Sequence, residues 1–297
     1  MISSLFLALS LAIPLALPRT DWARLRVSLI YFWRHGYFPD LKRPQFFNEK
    51  VQWRKLCDRD LSLAALTDKL YAKSLAADII GPSLVIPTLW QGEQLPGSPP
   101  WPMPFIVKSN HGCGQFVVVR CDRDWTRAQR ESPKWLVRAY GEWLDEWHYR
   151  RAGRTLIVEP FIGPKNGLPN DYKIFVFAGV AEFIQVHVDR GANHRWVQYD
   201  RQWTKLSNSP ETIEAPVQLT QMLLAAEQIA FGRDHLRVDF YEIDGRLWFG
   251  ETCLFPGSGL DPFDPLSLHE TFGHLWGIGA KRFCQSQAAD ALALGSD

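Results

Sequence analysis

The spacing of hydrophobic positions changes along the chain, from helical periodicity in the first third to short apolar runs afterwards. Apolar residues at helical spacing predict helices over residues 18–36, 48–56 and 62–80. The last of these patterns stops before Gly81, as is typical of a helix end. Residues 91–104 are rich in proline and glycine, so we predict a connection and a domain boundary there.

Strand-length apolar runs dominate the second part of the chain. They predict strands over residues 105–109, 115–120, 155–161, 172–177, 181–189, 196–199, 236–242 and 246–251. A helical pair over 126–150 and a helix over 217–229 lie between them. The last two strands flank an Ile-Asp-Gly turn, which favours a β-hairpin. This mixture of helices, strands and hairpins predicts an α+β fold with antiparallel sheets.

The composition is that of a globular protein of 297 residues, of which 46% are hydrophobic and 22% are charged. The 33 lysines and arginines balance 32 acids, so the bulk charge does not indicate nucleic-acid binding. The five cysteines are odd in number and include no CxxC pair, which argues against a disulfide framework and a zinc knuckle. We therefore expect reduced thiols and a cytoplasmic location.

The first 17 residues are apolar apart from serines. They are short for a membrane span and contain Pro14, and they lack the basic start and cleavage site of a signal peptide. Three interpretations stay open: a weak membrane anchor, a helix docked on the body, or a start codon assigned too early; we favour a helix that is docked or loosely associated with the inner face of the membrane. We divide the chain into this apolar segment (1–17), a helical region (18–104), a main domain (105–285) and a tail (286–297).

A polar loop between two strand-length runs, FIVKSNHGCGQFVVVR over 105–120, is the first candidate for chemistry. Lys108 closes the first run, and the loop contains His111, Gly112 and Gly114. One interpretation is a hairpin whose lysine reaches solvent. The other is a phosphate-binding loop, because glycines let backbone amides approach an anion and the lysine adds a positive charge. The sequence lacks the GxxxxGK[ST] pattern, so this is not a Walker loop.

A hairpin near the end of the chain, HLRVDFYEIDGRLWFGE, contains two carboxylates on neighbouring strands. Asp239 and Glu251 would lie side by side if the strand pairing is offset by one residue. Adjacent carboxylates repel each other unless a cation lies between them, and Mg²⁺ binds one or two carboxylates together with phosphate oxygens. Arg237 lies two residues before Asp239 and hence on the same face, where an arginine suits a polyphosphate. The competing interpretation is a surface hairpin with ordinary charges.

Further charged residues lie at informative spacings. Lys69 and Lys73 are four residues apart on a predicted helix, where a solvated helix face is the alternative explanation. Glu159 lies near the end of a predicted strand. Asp171 and Lys173 share one face of another strand, because side chains alternate along a strand.

In their order along the chain, these features resemble those of the ATP-grasp superfamily, and more closely its TupA-like branch, named for teichuronopeptide synthesis. The resemblance covers most of residues 37–275, and PDLKRPQFFNEKVQWRKL and NHGCG are its most specific stretches. The segments that carry it are residues 37–60, 107–114, 170–190, 237–251 and 255–259. It implies an ATP-grasp domain over 105–285, in which two α+β subdomains grip ATP, preceded by an N-terminal helical region.

The resemblance implies a set of nucleotide contacts. Lys108 would contact the α- and β-phosphates, and Lys69 or Lys73 would be a second phosphate contact. The glycine loop would cover the phosphates, and Glu159 would lie at the adenine–ribose hinge. The implied nucleotide-binding residues are Lys69, Lys73, Lys108, His111, Gly112, Gly114 and Glu159.

The resemblance also implies a metal and a reaction centre. Asp239 and Glu251 would bind Mg²⁺. Arg237 and Lys173 would face the γ-phosphate or an acyl phosphate. The residues that would face the acceptor are Arg190 and His194.

Two features depart from the family pattern. Many ATP-grasp enzymes carry a Glu-x-Asn sequence on the metal strand, whereas this chain has cysteine, Cys253, in place of the asparagine. The missing amide weakens the assignment of a second metal ion. The loop sequence HGCGQ lacks a further glycine that relatives commonly carry, and we interpret its Cys113 as a small loop residue rather than a nucleophile.

The implied function is that of an ATP- and Mg²⁺-dependent carboxylate–amine ligase in cell-surface polysaccharide biosynthesis. A carboxylate of a small molecule or polysaccharide precursor attacks the γ-phosphate, and an amine then displaces phosphate from the acyl phosphate. Two alternatives stay open. A glycosyltransferase-type enzyme that uses a nucleotide sugar fits the DxD triplets at 58–60 and 122–124. A binding module without turnover fits the missing amide at Cys253.

Overall fold

The computed structural model describes residues 19–137, 140–190 and 193–278. Its helices are α1 (Arg19–His35), α2 (Phe47–Cys57), α3 (Leu61–Ala65), α4 (Lys69–Ile80), α5 (Asp122–Val137), α6 (Leu219–Ile229) and α7 (Ser267–Leu275). Its strands are β1 (Trp90–Gly92), β2 (Phe105–Ser109), β3 (Phe116–Val119), β4 (Leu156–Pro160), β5 (Asp171–Phe177), β6 (Val180–Val188), β7 (Arg195–Asp200), β8 (His235–Ile243) and β9 (Arg246–Cys253). The predicted segments 1–17 and 286–297 lie outside the described residues.

Two antiparallel sheets organise the described chain. The smaller sheet has the strand order β1-β4-β2-β3, and the larger has the order β7-β6-β5-β8-β9. Each sheet has its own cluster of buried hydrophobic residues. The predicted α+β fold with antiparallel sheets is therefore confirmed.

Helices cover the apolar part of one face of the larger sheet. Phe47 of α2 and Phe272 of α7 both meet Phe175 of β5 edge to face, with ring centroids 5.9 and 5.2 Å apart. Such aromatic contacts add directional stabilisation to the burial of apolar area. Lys173 lies two residues before Phe175 on the same strand, so the polar part of this face begins where the aromatic cover ends.

The register of the β8–β9 hairpin brings the two predicted metal carboxylates face to face. Asp239 pairs with Glu251, whereas Phe240 pairs with Phe249, so Gly250 is an extra residue in a β-bulge. A Cβ atom at Gly250 would lie 3.0 Å from the carbonyl oxygen of Asp239, which is why glycine suits this position. This bulge is the one-residue offset needed to place the two carboxylates side by side.

The single helix predicted over 62–80 is wrong. The structure has α3 and α4 in its place, separated at Asp68, whose carboxylate accepts a hydrogen bond from the backbone N–H of Tyr71. Asp68 therefore caps α4 and starts a new helix, as short acidic side chains do. The same carboxylate also accepts hydrogen bonds from the Asn110 side chain and from the Gly153 backbone N–H.

The helical pair predicted over 126–150 is correct only in its first half. Helix α5 begins earlier, at Asp122, and the second half consists of the 3₁₀ turns Glu142–Leu144 and Trp147–Arg151. Gly141 and Asp145 both adopt left-handed backbone angles, which interrupt a regular α-helix.

The connection predicted over 91–104 begins within a strand. Residues Trp90–Gly92 form β1, which pairs with β4 at the edge of the smaller sheet. The smaller sheet thus uses residues on both sides of the predicted domain boundary, and the division into domains stays a prediction.

None of the helices in the described part of the chain combines the length and the apolar character that crossing a bilayer requires.

Candidate active site

A cleft lies between the two sheets, and residues from both sheets line it. The charged residues of its lining are Lys69, Lys108, Glu159, Arg190 and Glu251. Its apolar lining includes Ile86, Ile106, Phe161, Ile162, Leu168 and Pro169. This combination suits a ligand with a flat apolar part and an anionic part.

A buried carboxylate joins two of the predicted phosphate-binding lysines. Glu159 on β4 is 2% exposed, and its two oxygens lie 2.5 Å from Nζ of Lys73 and 2.6 Å from Nζ of Lys108. Burial alone would raise the pKa of Glu159, but the two ammonium groups outweigh burial and lower it. Glu159 therefore stays ionised and holds both lysines, of which Lys108 lines the cleft.

The glycine loop is tied to the metal hairpin through one lysine. Nζ of Lys69 donates a 2.6 Å hydrogen bond to the carbonyl oxygen of Gly112 and lies 3.6 Å from Oε2 of Glu251. Gly114 has a φ of +70°, which favours glycine in this loop. Lys69 is thus placed between the loop and the hairpin rather than on a solvated helix face.

His111 lies at the base of the same loop. It is buried, and its Nε2 atom lies 3.0 Å from the carbonyl oxygen of Trp135 on α5. The neighbouring Cys113 lines the cleft and is exposed. The structure therefore places His111 beneath the loop, and its contact with a nucleotide stays a prediction.

An ion-pair network on the larger sheet reaches the cleft through Arg190. Nζ of Lys173 lies 2.6 Å from Asp239 and 2.7 Å from Asp171. Arg237 donates to both oxygens of Asp239 at 2.7 and 2.8 Å, and Arg190 donates to Asp171 at 2.6 Å. The predicted reaction-centre residues Lys173, Arg237 and Arg190 are therefore brought together around these two acids.

Asp239 and Lys173 of this network hold each other in the charged form. Burial acts to raise the pKa of Asp239, but Arg237 and Lys173 overcome it and lower the pKa to about 2. Burial acts to lower the pKa of Lys173, but Asp171 and Asp239 raise it above its ordinary value. The positive groups are thus fixed in the protein before any phosphate arrives, as electrostatic catalysis requires.

The paired carboxylates supply oxygen atoms of the kind that Mg²⁺ binds, although those of Asp239 accept hydrogen bonds from Arg237 and Lys173 in the structure. Asp239 and Glu251 oppose each other across the hairpin, and the Glu251 side chain is 29% exposed toward the cleft. Burial raises the pKa of Cys253 to about 12, so this thiol stays neutral and is a poor partner for Mg²⁺. Groups of three metal-ligating side chains are absent from the described residues, so further oxygen ligands would have to come from phosphates and water.

Sequence reasoning left several residues of this region without a role. The sequence predicts that Asp171 shares a strand face with Lys173, but its place at the centre of the network depends on the sheet register. Tyr241 lines the cleft with no local signal in the sequence. The predicted acceptor residue His194 lies beside an unassigned histidine, with its Nε2 atom 2.9 Å from Nδ1 of His187.

The acids of the two DxD triplets form ion pairs and hydrogen bonds with residues nearby in the chain. Asp58, the residue after α2, lies 3.5 Å from Arg54 of that helix, and Asp60 caps α3 by accepting a hydrogen bond from the Ser62 backbone N–H. Asp124 accepts a hydrogen bond from the backbone N–H of Arg120 at the start of α5. Helix-capping acids of this kind do not favour a nucleotide-sugar metal site.

Comparison with known proteins identifies a family. A family model described as TupA-like ATPgrasp matches residues 49–276 of this chain. The comparison with curated proteins finds no match.

Several solved structures are similar to this chain. The D-alanine–D-alanine ligase from Bacillus anthracis complexed with ATP has 14% identity and a TM-score of 0.45, over 79% of this chain and 67% of that one. The L-amino acid ligase from Bacillus licheniformis has 14% identity and a TM-score of 0.48, over 82% and 56%. The ADP complex of an N5-carboxyaminoimidazole ribonucleotide synthetase has 12% identity and a TM-score of 0.44, over 70% and 50%. The chain thus spans about half to two thirds of the length of these structures.

Proposed function

This chain belongs to the TupA-like ATP-grasp family, and from that premise we propose that it is an enzyme that joins a carboxylate to an amine and is driven by ATP. The observation that carries the proposal is the set of charges at the cleft, where Lys173, Arg237 and Lys69 lie against the paired carboxylates of Asp239 and Glu251, and Lys108 reaches Glu159 of the smaller sheet. A cleft that combines several cationic side chains with two carboxylates able to hold a metal ion suits a triphosphate.

The nucleotide lies along the cleft in this proposal. The purine lies against Phe161 and Leu168, and the phosphates extend toward Lys108. Lys73 and Lys108 neutralise the α- and β-phosphates, and the Gly112–Gly114 segment covers them. Asp239 and Glu251 would hold Mg²⁺, which screens the phosphate charge during transfer when it is bound.

The reaction follows from where the fixed charges lie. The acid substrate attacks the γ-phosphorus, and its carboxylate oxygen forms the new bond as the bond to ADP breaks. Lys173 and Arg237 stabilise the negative charge on the transferring group. The amine then attacks the acyl carbon, phosphate leaves, and the amine loses one proton as the amide forms. Closure of the glycine loop excludes water that would hydrolyse the acyl phosphate.

The proposal extends to a biological setting. The family name and the resemblance to teichuronopeptide synthesis favour a substrate among cell-surface polysaccharide precursors. The requirement for ATP favours a cytoplasmic location. Contact with the inner face of the membrane through residues 1–17 stays part of this extension.

Trapping of the acyl phosphate tests the proposal. Purified protein is incubated with ATP, Mg²⁺, hydroxylamine and a panel of carboxylic acids that includes uronic acids and amino acids. We expect ADP release that depends on one class of acid, together with a hydroxamate of that acid. Lys173→Met should abolish both products, because a neutral side chain cannot stabilise the transferring phosphoryl group. Hydroxamate formation that persists without ATP would contradict the proposal.

A further inference from the structure

The polar face of the larger sheet continues past the ion-pair network onto β6 and β7. Asp171 of β5 pairs with His187 of β6, which in turn pairs with Trp196 of β7. One step along the strands, Gln185 of β6 pairs with Gln198 of β7. Paired residues project from the same face of a sheet, so these five side chains share the face that carries the predicted reaction centre.

Three buried polar atoms on this face have no hydrogen-bond partner among the residues that the structure describes. They are Oδ1 of Asp171, Nε2 of His187 and Oε1 of Gln198. Asp171 is 2% exposed and Gln198 is 4% exposed, so bulk water does not solvate them. A buried polar group without a partner is destabilising, and its retention indicates a ligand or ordered water.

The pattern of these atoms constrains the ligand. Neighbouring strands lie about 4.8 Å apart, so Asp171 and Gln198 are separated by roughly two such spacings. Both offer acceptor oxygens, which require N–H or O–H donors at the two ends of the same molecule. A ligand of at least the length of a monosaccharide ring is needed to reach both.

Aromatic surface lies between the two acceptors. The Trp196 ring is half-buried and lies nearly parallel to the His187 imidazole, with centroids 6.0 Å apart. Burial and the nearby Lys173 lower the pKa of His187 to about 2, so its imidazole is neutral and does not repel an amine. The indole offers a flat apolar surface to the face of a ring.

We propose that the face formed by Asp171, His187, Trp196 and Gln198 is the acceptor site of this protein and binds a hydroxylated ring amine of the amino-sugar class. This inference rests on the proposed ligase function and adds the chemical class of the amine. An amino acid fits less well, because its carboxylate would meet the acceptor oxygens of Asp171 and Gln198. Lys173 lies two residues from Asp171 on the same face of β5, which places the bound amine beside the proposed transfer reaction.

Replacement of Gln198 separates ligand binding from stability. Gln198→Met keeps the side-chain length and removes the unsatisfied oxygen, so we expect the Tm to rise by about 2–4 °C. Gln202→Met at an exposed turn is the matched control and should leave the Tm unchanged. A fall in Tm for Gln198→Met would show that the amide has a structural partner and would overturn the inference.

Ligand-observed NMR on the same proteins supplies the binding test. We expect saturation transfer to D-glucosamine with the wild type and the control, a weaker signal for D-glucose, and loss of the glucosamine signal in Gln198→Met. Equal signals in all three proteins, no signal at all, or a preference for L-alanine would overturn the inference. The test uses no ATP, and the Tm shift caused by ATP–Mg²⁺ in the same samples reports on the ligase proposal separately.

Discussion

At the scale of single residues, the charged side chains at the cleft neutralise one another. Glu159 lies between Lys73 and Lys108, and Asp239 lies between Arg237 and Lys173. Isolated buried charges are unfavourable, so each cation needs an acid until a polyphosphate takes its place. Binding of a nucleotide would therefore exchange partners rather than create charge pairs from solvated groups.

Glu159→Gln tests whether this carboxylate holds the lysines. Removing its charge leaves two ammonium groups close together with no acid between them, so we expect a loss of about 3 kcal/mol in the free energy of unfolding. Denaturant titration measures the change. Glu131→Gln, which removes the acid of an exposed ion pair with Arg130, is the control and should change stability by less than about 0.5 kcal/mol. A loss no larger than that of the control would contradict the role of Glu159.

Cys253→Asn tests the missing amide of the metal strand. Cys253 lies on the same face of β9 as Glu251, two residues away, so an amide oxygen there could join the metal oxygens. We expect the Mg²⁺ concentration that gives half-maximal ATP binding to fall at least about fivefold, which corresponds to about 1 kcal/mol. Calorimetric titration measures it, with Cys253→Ser as the control for loss of the thiol. An unchanged Mg²⁺ requirement would show that two carboxylates suffice.

At the scale of elements, the β8–β9 hairpin depends on one extra residue. The bulge at Gly250 sets Asp239 opposite Glu251, and without it the two carboxylates would lose their direct pairing. The sequence contained the turn, the alternation and both acids, so the hairpin was predictable. The bulge itself was only inferred from the need to align two charges.

Gly250→Ala tests the bulge. The added Cβ atom would lie 3.0 Å from the Asp239 carbonyl oxygen, which is backbone and cannot move without shifting the pairing. We expect a loss of about 1–3 kcal/mol in stability and weaker binding of ATP–Mg²⁺. Thermal denaturation with and without nucleotide measures both effects. Gly97→Ala has open space around the added atom, and equal effects of the two substitutions would contradict this role of the bulge.

Other elements show where prediction from sequence ends. Helices and strands with clear periodicity were predicted close to their observed bounds, whereas the helix over 62–80 was split by the capping carboxylate of Asp68. A polar side chain that competes with helix continuation has no signature in an apolar pattern. The 3₁₀ turns after α5 were not predicted, because the composition of this segment is typical of a helix. The left-handed backbone angles of Gly141 and Asp145 interrupt the helix there.

At the scale of the whole molecule, the cleft forms because two sheets with separate cores face each other across it. The sequence identified the charged residues of the cleft but not their partners. Lys73 meets Glu159 across 86 positions, and Lys173 meets Asp239 across 66, so these pairs depend on the packing of distant elements. The unpaired acceptor atoms on β5 and β7 also could not be predicted, because the lack of a hydrogen-bond partner leaves no pattern in the sequence.

Thermal stabilisation by nucleotides tests the central claim most directly. The melting temperatures of the wild type and Lys108→Ala are compared with ATP–Mg²⁺, with a UDP-sugar–Mg²⁺ complex and with Mg²⁺ alone. A ligand that binds only the folded state at one hundred times its dissociation constant adds about 2.7 kcal/mol. The account predicts a rise of several degrees with ATP–Mg²⁺ in the wild type, a much smaller rise in the variant, and none with Mg²⁺ alone. Stabilisation by the UDP-sugar and not by ATP would contradict the ligase and favour a glycosyltransferase.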